Sequence, residues 1–370
     1  MTVETSLAAL FTPFTVGPLH LPNRIVMAPM TRNFSPGGVP GPDVAAYYAR
    51  RARHGVGLII TEGTTIDHPV ASSSPTVPRF HGADALAGWA RVVDEVHREG
   101  GRILAQLWHV GIDPQAPPPY PQAPPVGPSG MIAPGMTVTR PMSPADIAEV
   151  VDAFARAAAE ARRLGFDGLE LHGAHGYLID QFLWAGTNRR ADGYGGSPGA
   201  RARFAAEVVA ACRAAVGPDF PILLRISQWK VADFHARLAD DPDELAELLA
   251  PLVDAGVDVF DCSTRRFWLP AFEGSPLGLA GWVKRLTGRP TIAVGSVGLD
   301  NSEFLDSLMT GKGAANARLD EVVDRLAAGE FDLVALGRLL LSDPRWVEKI
   351  RDGRFTELAP FSADALAVLS

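Results

Sequence analysis

Residues Ser143–Tyr177 read SPADIAEVVDAFARAAAEARRLGFDGLELHGAHGY. Ser143, Pro144 and Asp146 make a helix start: a hydroxyl that can cap free N–H groups, a first-turn proline and an acid. Ile147, Val150, Val151, Phe154 and Ala158 then recur at helical spacing on one face. A short apolar run, Asp167–His172, follows. A strand has this composition when other layers cover both its faces. One capped helix ahead of one buried strand is a repeating piece of an α/β fold.

The same alternation extends in both directions. Strands are predicted at Arg24–Ala28, Gly57–Thr61, Arg102–Leu107, Asp167–His172, Ile222–Ile226, Val257–Cys262, Thr291–Val294 and Leu333–Gly337. Helical patterns fall between them: Asp43–Arg53, a helix opened by Asp84, one opened by Asp241–Pro242, and Arg201–Ala215, Gly278–Leu286 and Leu319–Ala328. Eight such alternations predict a closed (β/α)8 TIM barrel, one domain over residues 1–370. The competing open, doubly wound sheet would carry a glycine fingerprint for a dinucleotide. Gly55-Val56-Gly57 lacks its third glycine and Gly311-Lys312-Gly313 follows no strand. Leu10–Asn23 reads as a hairpin turning at Gly17–Pro18, an N-terminal plug for the barrel floor. Asp113–Pro125, DPQAPPPYPQAPP, is either a stiff spacer of polyproline character or a lid, since it is the loop after the third barrel strand.

Composition narrows the function. A formal charge of −8 argues against a nucleic-acid surface. No apolar run approaches the roughly 18 residues of a membrane span. The N-terminal residues lack a basic signal-peptide region, so a cytoplasmic protein is expected. Two cysteines, Cys212 and Cys262, cannot alone ligate an iron–sulfur or zinc cluster.

Barrel active sites lie at the carboxyl ends of the strands. There the chain places Pro29, Met30, Thr31 and Arg32; Glu62 and Gly63; Gln106; His172, His175 and Tyr177; Arg225; Gly295 and Ser296; and Gly337 and Arg338. Two imidazoles and a phenol within six residues suit holding a carbonyl oxygen that gains charge while a proton is delivered nearby. Zinc ligation is the competing reading, but no clustered carboxylate or third imidazole sits at another strand end with a matching role. Arg225 ends the apolar strand PILLR, so a buried anionic partner is expected for it. Glycine turns after strands seven and eight, with Arg338, form the usual phosphate site of such barrels. Cys262, Trp108, Trp184 and Trp268 read as packing residues.

Taken together these motifs resemble the Old Yellow Enzyme family of FMN-dependent NAD(P)H oxidoreductases. The likeness rests on LPNRIVMAPMTR (Leu21–Arg32), ITEGT (Ile60–Thr64), ILAQLWHVG (Ile103–Gly111), PVGPSG (Pro125–Gly130), HGAHGYLIDQF with NRRADGYGGS, ILLRIS, AVGSVGL and LVALGRLLLSDP. The resemblance implies a non-covalent FMN, NADH or NADPH as transient donor in a shared pocket, and reduction of an α,β-unsaturated carbonyl compound. It implies that Pro29, Met30 and Thr31 lie against the flavin and that Gly63 and Gln106 meet its polar edge. Arg225 would face N1 and O2, and Gly295, Ser296, Gly337 and Arg338 would take the phosphate. His172 and His175 would hold the substrate carbonyl and Tyr177 would protonate carbon. Thr31 stands where some relatives have cysteine, and His175 where others have asparagine. Gln228, Trp229 and Lys230 are candidates for the mouth, and Phe361 or Trp346 for an aromatic over the substrate. A barrel lyase or isomerase acting on a phosphorylated sugar, a non-catalytic flavin module, and a homo-oligomer remain open.

Overall fold

The computed structural model describes residues 7–113, 123–300 and 310–370. Eight parallel strands close into one barrel. They are β3 (Ile25–Met27), β4 (Leu58–Thr65), β5 (Ile103–Trp108), β8 (Gly168–His172), β9 (Ile222–Ser227), β10 (Val259–Ser263), β11 (Thr291–Val294) and β12 (Leu333–Leu336). They pair in chain order, and Leu336 beside Met27 closes the ring. All eight expected strands are present. The proline-rich stretch lies outside the described residues except for Asp113 and Ala123–Pro125.

Two hairpins stand apart from the barrel. β1 (Phe14–Val16) and β2 (Leu19–Leu21) pair antiparallel around Gly17–Pro18. Leu19 and Leu21 pack on Val26, Leu58, Leu104, Leu223, Val259, Ile292 and Leu333 inside the barrel, sealing its floor as expected. β6 (Met131–Ala133) and β7 (Met136–Thr137) form the second hairpin, in the segment between β5 and β8.

The helices start where their caps dictate. Ser143 Oγ accepts from the Asp146 amide and the Asp146 carboxylate accepts from the Ser143 amide, a reciprocal box at the head of helix Pro144–Arg163. Ser143→Ala should lower stability by about 1 kcal/mol, read as a shift of the urea midpoint at unchanged slope. Asp241 caps helix Pro242–Ala255 through the Glu244 amide. The helix expected at Arg201 starts earlier, at Pro198, because Ser197 caps it. Asp84 is a first-turn acid rather than the cap, which is Gly82.

β4 runs four residues past its expected end. The register slips between Ile60 and Gly63, so Thr61 and Glu62 form a bulge, and the Thr61 hydroxyl takes up the Gln106 amide at 3.0 Å.

Candidate functional site

Strand periodicity stacks the barrel interior in layers, because every second residue points inward. The lowest layer is apolar and includes Leu104, Leu223 and Val259. Two residues further along the same strands come Gln106, Arg225 and Asp261, joined by Glu170 on β8. Two further again come Trp108, His172 and Ser263. A cavity opens at this level, lined by Pro29, Thr31, Gln106, Trp108, His172, His175, Tyr177 and Arg225.

The anion expected for Arg225 is Asp261, with Nη1 3.3 Å from Oδ2 and the carboxylate fully buried. Arg225 Nη2 also donates to Ser263 Oγ at 3.3 Å. Its Nε and Nη1 have no hydrogen-bond partner, and neither has Trp108 Nε1. These are buried donors beside a cavity, where unsatisfied groups call for a ligand.

His172 Nδ1 accepts from the Ala174 amide at 3.4 Å, which leaves its proton on Nε2. His175 Nε2 lies 2.7 Å from Ser263 Oγ, and its ring stacks on Trp229 with centroids 4.4 Å apart. Burial, and then the Arg225 charge, hold both imidazoles well below the usual histidine range, so both are neutral near pH 7. Tyr177 stands edge-on to Trp108 and to His172, at 4.8 and 5.0 Å. Burial, then the Asp113 charge, raise its phenol, so it keeps its proton.

The turn that presents these groups is conformationally costly. His175 has φ 66°, a left-handed value for a residue with a side chain. Three bonds hold it: the His175 amide to Ser227 Oγ, the Gly176 amide to Asp180 Oδ2, and the Val231 amide to the His175 carbonyl. Asp180 is in turn paired with Lys230 Nζ at 2.7 Å, both fully buried. A second cavity adjoins here, lined by Ile112, Asp113, Ile132, His175, Tyr177, Trp184 and Lys230 among others.

Thr31 is exposed at the cavity while its neighbour Arg32 is buried. Glu62 fixes the loop between them: its Oε2 accepts the Arg32 amide at 2.8 Å and the Asn33 amide at 3.4 Å. Burial pushes the Glu62 carboxyl up to about 7, against the pull of those two amides and of Arg32. The folded chain therefore keeps a proton that the unfolded chain releases near 4.5. Stability should fall as pH rises from about 4.5 through about 7. Glu62→Gln should remove a slope worth on the order of 3 kcal/mol across that window, measured as denaturant midpoints of both proteins at each pH.

At β11 and β12 the expected turns are built as a cradle. Gly295 has φ 141°, and a Cβ there would lie 2.3 Å from the Thr264 carbonyl oxygen, so only glycine fits. Ser296 Oγ donates to the Arg265 carbonyl and accepts from Arg338 Nη2, each at 3.1 Å. Gly337 faces Met30, whose sulfur would be 3.4 Å from an added Cβ. The turns after strands seven and eight thus meet the strand-one loop.

Some assignments change. Gly63 lies against Trp108, where an added Cβ would come within 2.6 Å of the indole. Trp108 is a site residue and not only packing, since it carries an unpaired Nε1 at the rim. Trp184 lines the second cavity. Trp229 backs His175, while Gln228 is spent on Leu238 and Ala239 and braces its own loop rather than the mouth. Phe361 and Trp346 are buried in the core, 1% and 2% exposed, and line neither cavity. Glu170 and Asp261 were missed. The available signal was parity: each sits two residues before an inward polar residue, His172 or Ser263.

Among the described residues no group of three or more His, Cys, Asp or Glu is placed to hold a metal ion. No helix there is long and apolar enough to cross a membrane.

Residues 9–357 match the model of the NADH:flavin oxidoreductase / NADH oxidase family. The chain is 36% identical over 341 residues to 12-oxophytodienoate reductase 1 of Oryza sativa subsp. japonica, covering 90% of this chain and 84% of that protein. It is 34% identical to the NADH oxidase of Thermoanaerobacter brockii over 94% of its own length, and spans 52% of that longer protein. The structure of the old yellow enzyme homologue from Zymomonas mobilis superposes with a TM-score of 0.78 at 26% identity, covering 97% of this chain and 96% of that one. With this fold, this cavity and these matches, the chain belongs to the NADH:flavin oxidoreductase / NADH oxidase family and is an FMN-dependent oxidoreductase of old yellow enzyme type.

Proposed function

We propose that this enzyme reduces the activated C=C bond of an α,β-unsaturated carbonyl compound, with His172, His175 and Tyr177 as its catalytic residues. The reading is carried by one observation: two neutral imidazoles and a protonated phenol converge on a cavity that also holds the unpaired donors of Arg225 and Trp108.

The residues present fit FMN. Arg225 offers Nε and Nη1 to a polar or anionic edge, and Gln106 an amide. Pro29 and Thr31 line one wall, with Met30 against Gly337. Ser296 and Arg338 at the two glycine turns suit a phosphate, with Gly295 and Gly337 allowing close approach. When bound, FMN supplies the redox step, taking hydride from NADH or NADPH and passing it to the alkene. Nothing among the described residues forms a separate dinucleotide turn, which supports a pocket shared by donor and alkene.

The protein's own contribution is placement and charge. His172 offers Nε2–H to the carbonyl oxygen, where negative charge grows. His175 flanks it, its ring fixed by Ser263 and Trp229. Neutral donors that are fixed beforehand cost no reorganisation when that charge appears, and each is worth about 3 kcal/mol. Tyr177 keeps its proton at neutral pH and delivers it to the α-carbon. Trp108 packs edge-on against the phenol ring and fixes its orientation.

Purified protein should take up FMN, bleach with NADPH and regain colour with cyclohexenone. A sample that binds FMN and bleaches, yet is reoxidised by no enone, nitroalkene or maleimide, would overturn the substrate assignment. His172→Ala should also weaken the binding of phenols, which resemble the enolate.

A further inference from the structure

At the cavity floor, Gln106, Glu170, Arg225 and Asp261 form a belt across four adjacent strands, exposed by 2%, 0%, 5% and 0%. Gln106 lies directly beside Glu170 in the register of β5 and β8, and Arg225 beside Asp261 in that of β9 and β10. Gln106 Nε2 donates to Glu170 Oε1 at 2.7 Å. Glu170 Oε2 and both Asp261 oxygens receive no hydrogen bond from any ordinary donor.

Two ionised carboxylates would leave this belt with two faults. Carboxylates only accept, so three buried oxygens would lack a donor. Two negative charges would also share a dry interior with one guanidinium, and like charges at close range do not both ionise there. A single proton removes the charge clash and satisfies two of the three oxygens, Glu170 Oε2 and one on Asp261, while Asp261 Oδ2 also lies 3.3 Å from Arg225 Nη1. Asp261 has Arg225 at 3.3 Å, so the proton belongs to Glu170. Oε1 is occupied by Gln106, so the proton sits on Oε2, the oxygen without a partner, and the unpartnered Asp261 oxygens are the acceptors for it. Burial, then the Asp261 charge, raise the Glu170 carboxyl well above the usual range, with Arg225 opposing.

We propose that Glu170 is a neutral acid donating its proton to Asp261, and that it acts as a positioning residue which turns the Gln106 carbonyl oxygen toward the cavity. The reversed amide would set the Gln106 oxygen against Glu170 Oε1. The proton would then be needed on Oε1, and Asp261 would lose its donor. One proton cannot serve both. The floor consequently presents an acceptor from Gln106 beside the cation of Arg225, a pattern that fits an imide edge, in which an N–H adjoins a C=O. This choice of ligand edge rests on the FMN reading above; the position of the proton does not.

The infrared difference between the purified wild-type chain and Glu170→Gln should carry the C=O stretch of a protonated carboxyl group at neutral pH, the Glu62 contribution being common to both and cancelling. FMN titration of the apoprotein gives the second readout. Glu170→Leu removes the donor to Asp261 and the acceptor for Gln106, and should weaken FMN by roughly 5- to 100-fold, the weight of one unsatisfied buried polar group. Glu170→Gln should restore that loss, because its amide nitrogen replaces the hydroxyl and its oxygen still accepts from Gln106. Absence of the band, or a Gln variant as weak as the Leu variant, overturns the proposal. If the wild-type chain takes up no FMN, the flavin reading falls, while the band still decides where the proton is.

Discussion

Tyr177→Phe should slow alkene reduction by about 10²- to 10³-fold while leaving reduction of the bound flavin by NADPH close to wild type. The two half-reactions separate this cleanly. The first, reduction by NADPH, would draw no proton from the phenol. In the second, the α-carbon needs a proton, and Tyr177, which lines the cavity, keeps one at neutral pH. The ring itself stays, so its edge contacts to Trp108 and His172 persist and the cavity keeps its shape. Rapid mixing of pre-reduced enzyme with an enone gives the second rate directly. An unchanged rate would remove Tyr177 from the mechanism.

The largest effect on stability should come from Lys230→Met. Lys230 and Asp180 are both fully buried and 2.7 Å apart. Removing the cation strands a carboxylate with no route to water, and breaking a buried pair from one side costs about 3–5 kcal/mol. The loss should also reach the chemistry, because Asp180 Oδ2 holds the Gly176 amide in the turn between His175 and Tyr177. Denaturant midpoints measure the first effect and enone turnover at low temperature the second. The double variant Lys230→Met with Asp180→Leu should recover much of the stability but not the turnover, since it abolishes the charge and also the tether. A Lys230→Met protein within about 1 kcal/mol of wild type would mean the pair is not holding this turn.

The barrel was legible because its evidence is local and repeated. Each strand is an apolar run, and Ser143 and Asp241 announce helices through hydrogen bonds made within three residues. Most of the rim was legible for a related reason: barrel geometry sends strand ends to one face, so His172, Gln106 and Arg225 converge whatever lies between them. The partner of Arg225 was expected but not its identity, because Asp261 comes from the next strand, 36 positions along in sequence, and only register brings the two together. Glu170 was hidden by its neighbours, an acid inside a run that reads as buried. Trp108 was set aside because an indole in a strand is ordinarily core, and its unpaired Nε1 is visible only in three dimensions. Phe361 and Trp346 failed the other way. Both are large aromatics near the C-terminal end of the sequence, and the chain folds them inward: Trp346 donates to Asn316, and Phe361 lies beneath Arg338.

The hairpin of β1 and β2 stops one end of the barrel with Leu19 and Leu21. Among the described residues that leaves the other end open, and if both reactants use the pocket proposed above, whichever arrives in excess blocks the other. Raising the enone concentration should therefore inhibit turnover, and added NADPH should relieve that inhibition competitively.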